Sequence, residues 1–197
     1  MFNRGFKTSC ENIARQQRRN LSLAPVDPIN PRSLAKHLGI RVRTVEEVPG
    51  LSPNCVRTLL HEDADSWSAI TLSANGKSII ILNSSHAPTR LASDLVHEIA
   101  HIMLGHKPAR IDLTEDGSLM LSTYSRQQED EANWLAGCLL LPRDALVLIR
   151  RQRLDLTAAA RKYGTSMDML RYRINVTGVD YQFKRRSAWY SARANYG

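Results

Sequence analysis

Cysteine is scarce in this chain, and what little there is cannot build a metal knuckle. Its 197 residues include three cysteines, Cys10, Cys55 and Cys138, odd in number and widely spaced. No C-x-x-C pair exists, so neither a thiolate zinc site nor a disulfide framework is supported. Reduced thiols in a cytoplasm are the expected state. Cys138 lies in an apolar run and is expected in the core. No apolar run is long enough to cross a bilayer. The densest, Trp134 to Leu148, is interrupted by Pro142, Arg143 and Asp144. Met1 to Asn20 is basic and polar, without the apolar segment or small-residue cleavage site of a secretory signal. A cytoplasmic location is therefore expected.

Acidic residues are outnumbered, 19 against 27 Lys and Arg, for a formal net charge of +8. The excess is clustered at Arg15, Arg18 and Arg19; at Arg150, Arg151 and Arg153; at Arg161, Lys162, Arg171 and Arg173; and at Lys184, Arg185 and Arg186. Such clustering fits an acidic partner, DNA included, and equally fits solvated helix faces.

Hydrophobic periodicity organises the rest. Residues 1–24 read as a flexible basic arm with a short helix near Glu11 to Arg19. Pro31 suits the first position of a helix over Arg32 to Leu38, stopped by Gly39. Ile40 to Val45 alternates like a half-buried strand. Pro49-Gly50 and Pro53-Asn54 mark a loop. Trp67 to Leu72 and Ser78 to Leu82 are strand-like, with Asn75-Gly76 between them as a hairpin signal. The second run, SIIIL, is continuously apolar and expected to be the central strand. From Thr89 the period becomes helical, with Leu91, Leu95, Ile99 and Ile102 on one face until Gly105. Lys107 to Ser122 reads as a long loop with a turn at Asp116-Gly117. A helix over Arg126 to Leu141 follows, then one over Pro142 to Arg151, and two short ones near Thr157–Tyr163 and Ser166–Asn175.

One of these helices carries chemistry. His97-Glu98-Ile99-Ala100-His101 has the form HExxH. Residues four apart on a helix differ by about 40° of rotation and one turn of rise, so both imidazoles can reach one ion. Glu98 points beside them and can hold a water next to the metal, the two-ligands-plus-base arrangement of a metallopeptidase helix. A catalytic zinc needs a third protein ligand and one open position. The next helix offers Glu129, Asp130 and Glu131. Glu129 and Glu131 are about 200° apart around the helix, so only one of them can face the metal. A His₂Glu set suits zinc better than manganese or iron. His86, His106 and Tyr124 are candidates for stabilising an oxyanion, whereas His37 and His61 have no ligand spacing to a partner.

These motifs carry a resemblance. HEIAHIMLGH, followed after a loop by EDEANWLAGCLLLP, resembles the ImmA/IrrE-type metallopeptidases over residues 80–145. The family's second motif runs E-x-x-A-N-x-x-A with a trailing L-L-x-P. Its glutamate three before the alanine is a zinc ligand, which implies Glu129 here. His97 and His101 match the family's ligand histidines, Glu98 its catalytic glutamate, and Asn133 would orient a ligand histidine. The chain departs mildly, with Leu135 and Ala100 where the family often has Phe and Gly. The resemblance implies an α+β fold: a small twisted, antiparallel-containing sheet on a helical bundle, zincin-like, with the HExxH helix at a zinc cleft. Expected domains are residues 1–24 as arm, 25–152 as the metallopeptidase, 153–179 as a helix-turn-helix-like segment and 180–197 as a basic tail. Residues 156–174 read either as a DNA-reading unit through Arg171 and Arg173, or as a helical hairpin packed by Met167, Met169, Leu170 and Ile174. The function implied is a zinc-dependent, gluzincin-like endopeptidase that cleaves a helix-turn-helix repressor or antitoxin and so regulates transcription. The competing readings are a DNA-binding or stress-sensing regulator with a structural zinc site, and a module that binds a repressor without cutting it.

Overall fold

The computed structural model describes residues 2–74, 76–106, 111–113, 119–121 and 124–183. Helix α1 (Phe6–Asn20) leads to α2 (Pro31–His37), which Asn30 caps by accepting from the Ser33 amide at 3.0 Å. Gly39, at φ 70°, turns the chain into strand β1 (Arg41–Thr44). Helix α3 (Pro53–Arg57) runs on into a wider turn at Thr58–Glu62. Strands β2 (Ala69–Ala74) and β3 (Lys77–Leu82) precede α4 (Pro88–Met103). A short pair, β4 (Ile111–Leu113) and β5 (Leu119–Leu121), leads to α5 (Arg126–Leu140), α6 (Arg143–Arg151), α7 (Leu156–Lys162) and α8 (Met167–Thr177).

The fold is α+β, with a three-stranded sheet in the order β1-β3-β2 among the described residues. The apolar SIIIL run is the central strand, as its composition predicts. β1 pairs with it in parallel, Arg41 opposite Ile79, and β2 antiparallel, Ile70 opposite Ile81. Ile80 and Leu82 send their side chains into the core. There α4 packs on β2 and β3 with one face and on α5 with another, while α1 covers α5 and α2 covers α4. A second apolar cluster joins Leu141, Leu146, Ile149, Tyr163, Leu170 and Ile174 from α5's end through α8.

Several sequence expectations need correction. Residues 1–24 are not a free arm: Cys10, Ala14 and Arg18 recur every four residues, form one stripe of α1 and are fully buried. Arg18, read as part of a basic cluster, donates to the carbonyls of Asp27, Ala14 and Leu139. Pro53 does not lie in a loop. It opens α3 behind Ser52, whose hydroxyl accepts from the Cys55 amide. The loop read over Lys107 to Ser122 contains the β4–β5 pair. Arg173, offered as a DNA-reading residue, is buried, donating to the Leu141 carbonyl and pairing with Glu11 at 2.7 Å. Leu170 and Ile174 are buried and Met167 and Met169 pack beside them, as a packed hairpin requires, while Arg171 stays exposed. Residues 180–183 of the expected tail are helical, and Asp180 is ion-paired with Arg150. Asn75 of the predicted turn, the Asp116-Gly117 turn and Lys184 to Arg186 lie outside the described residues. Among those described, no single helix is long and apolar enough to cross a membrane.

Candidate metal centre

The site forms where α4 and α5 touch. Ala100 on α4 and Ala132 and Ala136 on α5 are small and buried, which lets the two helices approach closely. Leu95, Val96 and Ile99 hold α4 in the core, so His101, one turn beyond His97, is fully buried while His97 stays part-exposed. Ser125 begins α5 with a reciprocal capping box to Gln128, satisfying two otherwise orphaned amides. This fixes the first turn, and Glu129 projects from it toward the histidines.

His97, His101 and Glu129 each offer one donor atom, and the three atoms lie within 4.8 Å of one another. His97 Nε2 and His101 Nε2 are 3.0 Å apart. The Glu129 carboxylate lies 3.2 Å from the first and 3.7 Å from the second. His97 Nδ1 is 3.1 Å from the Asn133 Oδ1. That oxygen can only accept, so Nδ1 carries a proton, and Nε2 is the ring nitrogen turned toward the cluster. Burial, together with the neighbouring His97 and His106 rings, pulls the His101 pKa down to about 3. Its ring is therefore neutral at ordinary pH and free to ligate. Two imidazoles and a carboxylate converging from two helices are a donor set that fits zinc.

Glu98 sits on the adjacent face of α4. Thr71 of β2 donates to its Oε2 at 2.5 Å. Burial raises the Glu98 pKa above the usual carboxylate range, against the opposing pull of the Thr71 hydroxyl and of His97. A carboxylate poised in this way suits proton transfer. A cleft of about 350 Å³ opens over the cluster, bordered by Ser68, Ala69, Ser93, Asp94 and Met169 as well as His97, Glu98 and Glu129. Tyr124 stacks on the His101 ring at 3.7 Å between centroids, and burial lifts its pKa to about 12.

The family model of the IrrE N-terminal-like domain, a peptidase family, matches residues 35–175. The chain belongs to this family. No curated protein matches it. The matched span holds every member of the IrrE-type cluster and leaves out α1, which packs on the same core.

Of the residues predicted for this IrrE-type site, the structure brings His97, His101 and Glu129 together, with Glu98 beside them and Asn133 behind His97. Glu131, the alternative third ligand, points elsewhere: it accepts from Gln127 at 2.9 Å and lies 3.3 Å from His106. His86 is held by Asn83, Asp94 and the Ala64 carbonyl. His37 and His61, which have no ligand spacing, are exposed and stand outside the cluster. Thr71 was not foreseen. A polar residue between Ile70 and Leu72 reads as solvent-facing, yet Thr71 is the buried one and its two neighbours are exposed.

Proposed function

We propose that this protein is a zinc-dependent endopeptidase. The observation that carries the reading is the convergence of His97, His101 and Glu129, from two helices, beside the part-buried carboxylate of Glu98, which Thr71 holds by a hydrogen bond. His97 and His101 would hold the ion through Nε2 and Glu129 through its carboxylate. A bound zinc supplies Lewis acidity, polarising a peptide carbonyl and making a water acidic enough to react near neutral pH. Glu98 accepts that water's proton on its carboxylate and later delivers it to the leaving amine. Thr71 fixes the Glu98 carboxylate in the orientation this exchange needs. Asn133 holds His97 in the tautomer that leaves Nε2 bare. The cleft beside β2 receives the peptide.

The likeness to ImmA/IrrE-type peptidases supports a substrate class: a helix-turn-helix repressor or antitoxin whose cleavage changes transcription. The test uses the full chain and a helix-turn-helix repressor or antitoxin as candidate substrate. Zinc-loaded wild type is expected to cut it, a chelator to stop the cutting, and Glu98→Gln to bind one zinc yet lose at least about 100-fold in rate, the scale of general-base catalysis. A Glu98→Gln variant that cleaves at the wild-type rate refutes the assignment. Salt-sensitive, sequence-specific duplex binding without cleavage would instead favour the DNA-binding regulator.

A further inference from the structure

Behind His101 lies a second line of polar side chains that the three ligands do not use. Gly105, at φ 68°, reverses the chain at the end of α4, and the His106 amide donates back to the His101 carbonyl at 3.0 Å. This places the two rings together, with His101 Nδ1 2.9 Å from His106 Nδ1. On its far side His106 Nε2 is 3.3 Å from Glu131 Oε2, and Glu131 Oε1 accepts from Gln127 at 2.9 Å. The His101, His106 and Glu131 side chains are 0%, 7% and 15% exposed, so water competes little for these contacts.

We propose that His106 and Glu131 are positioning residues of the metal centre, forming a carboxylate–histidine relay that selects the ligating tautomer of His101. The inference rests on the zinc reading above. One proton must be placed on each of two contacts, Glu131–His106 and His106–His101. The two facing Nδ1 atoms share one hydrogen bond, so one of them must donate. With His106 neutral, suppose that it donated. Its Nε2 would then be bare and would face the carboxylate of Glu131, acceptor against acceptor, while His101 would carry its proton on Nε2 and close that nitrogen to a metal. The opposite arrangement satisfies both hydrogen bonds behind His101 and turns an unshared pair toward the cluster, where a cation would complete it. Glu131 accepts from His106 Nε2–H, His106 Nδ1 accepts from His101 Nδ1–H, and His101 Nε2 is left as a lone pair aimed at His97 and Glu129. Glu131, two residues from the ligand Glu129 and on the other side of α5, therefore serves the same ion from behind. The ring of Tyr124, stacked on His101, limits rotation of the imidazole about this axis.

The experiment measures zinc affinity by chelator competition on the full chain, together with the visible spectrum of the cobalt-loaded protein. His106→Leu and Glu131→Leu are each expected to weaken zinc by about 10- to 100-fold, the effect typical of losing such an outer partner, and to alter the cobalt spectrum. His106→Asn should recover most of the loss, because its Oδ1 can accept where Nδ1 did, a rescue that a space-filling role would not give. Glu131→Gln should lose less than Glu131→Leu, since it keeps an acceptor oxygen. If His106→Leu fails to fold, as judged by circular dichroism of the metal-free protein, Glu131→Leu decides alone, and an affinity loss below tenfold overturns the proposal. Leu variants that bind zinc like wild type, or an Asn variant as weak as Leu, also overturn it. Wild type that binds no zinc overturns the peptidase reading itself, so the two failures are told apart.

Discussion

A general base works only from one position, and Glu98 owes its position to a neighbour far away in sequence. The Thr71 hydroxyl donates to Glu98 Oε2 across the boundary between β2 and α4. A hydrogen bond to a charged group contributes roughly 1.5–3 kcal/mol, and about 1.4 kcal/mol is tenfold in rate. Thr71→Val keeps the shape and removes the donor. The expected result is a fall in kcat of about 10- to 100-fold with KM and zinc affinity little changed, whereas Thr71→Ser stays near wild type. Steady-state kinetics on a cleavable peptide, beside chelator titrations, check this. A Thr71→Val enzyme with undiminished kcat would show that Glu98 is positioned by something else.

At the scale of elements, α5 and α8 approach each other tightly at one glycine. A Cβ built on Gly137 would stand 2.8 Å from the Arg173 Cδ. Arg173 cannot easily withdraw, since its guanidinium donates to the Leu141 carbonyl and pairs with Glu11, and it lies over the Trp134 ring. By helix propensity alone Gly137→Ala would stabilise α5 by up to about 1 kcal/mol. Overpacking a tight site costs roughly 1–3 kcal/mol, so the net expectation is destabilisation, read as a lower urea midpoint. A higher midpoint would mean that Arg173 yields freely. This contact also explains what could be read in the sequence and what could not. The periodicity of Leu91, Leu95, Ile99 and Ile102 was enough to place α4, because a helix fixes which side chains share a face; it brought His97 and His101 to one side, but among the three acids of α5 it was the resemblance that singled out Glu129. The SIIIL run revealed the central strand for a different reason: a short, continuously apolar run suits a strand with neighbours on both edges. The positions of Thr71 and Arg173 depend on which elements meet, and nothing local signals that. An arginine on a late helix reads as a surface charge until a glycine opposite and a glutamate from α1 give it somewhere to be buried. Residues 1–24 misled in the same way: their polar, basic composition hides a stripe only three residues long, Cys10, Ala14 and Arg18, that seals the core.

For the molecule as a whole, α1 is the wall shared by its two apolar clusters. Its Cys10 and Ala14 belong to the cluster around α4 and α5, while its Glu11 reaches the Arg143 amide and Arg173 at the edge of the second. Arg15 adds a tie to α6 through Asp144, at 2.6 and 3.0 Å. The hydrogen bond from Arg15 holds the Asp144 carboxyl below its ordinary pKa. Folding therefore favours the ionised form. The stabilisation is fully present above the unfolded pKa, about 4, and disappears as the pH falls through the lower folded value. Both side chains are about one-third exposed, 38% and 30%, so solvent screening limits the tie to roughly 0.2–1 kcal/mol. Asp144→Asn should therefore be less stable than wild type by that amount at pH 7, and the difference should shrink toward zero as the pH is taken below the folded pKa. Urea unfolding of both proteins at matched pH values measures the gap. A gap that persists undiminished in acid would mean that Asp144 contributes by its shape and not by its charge.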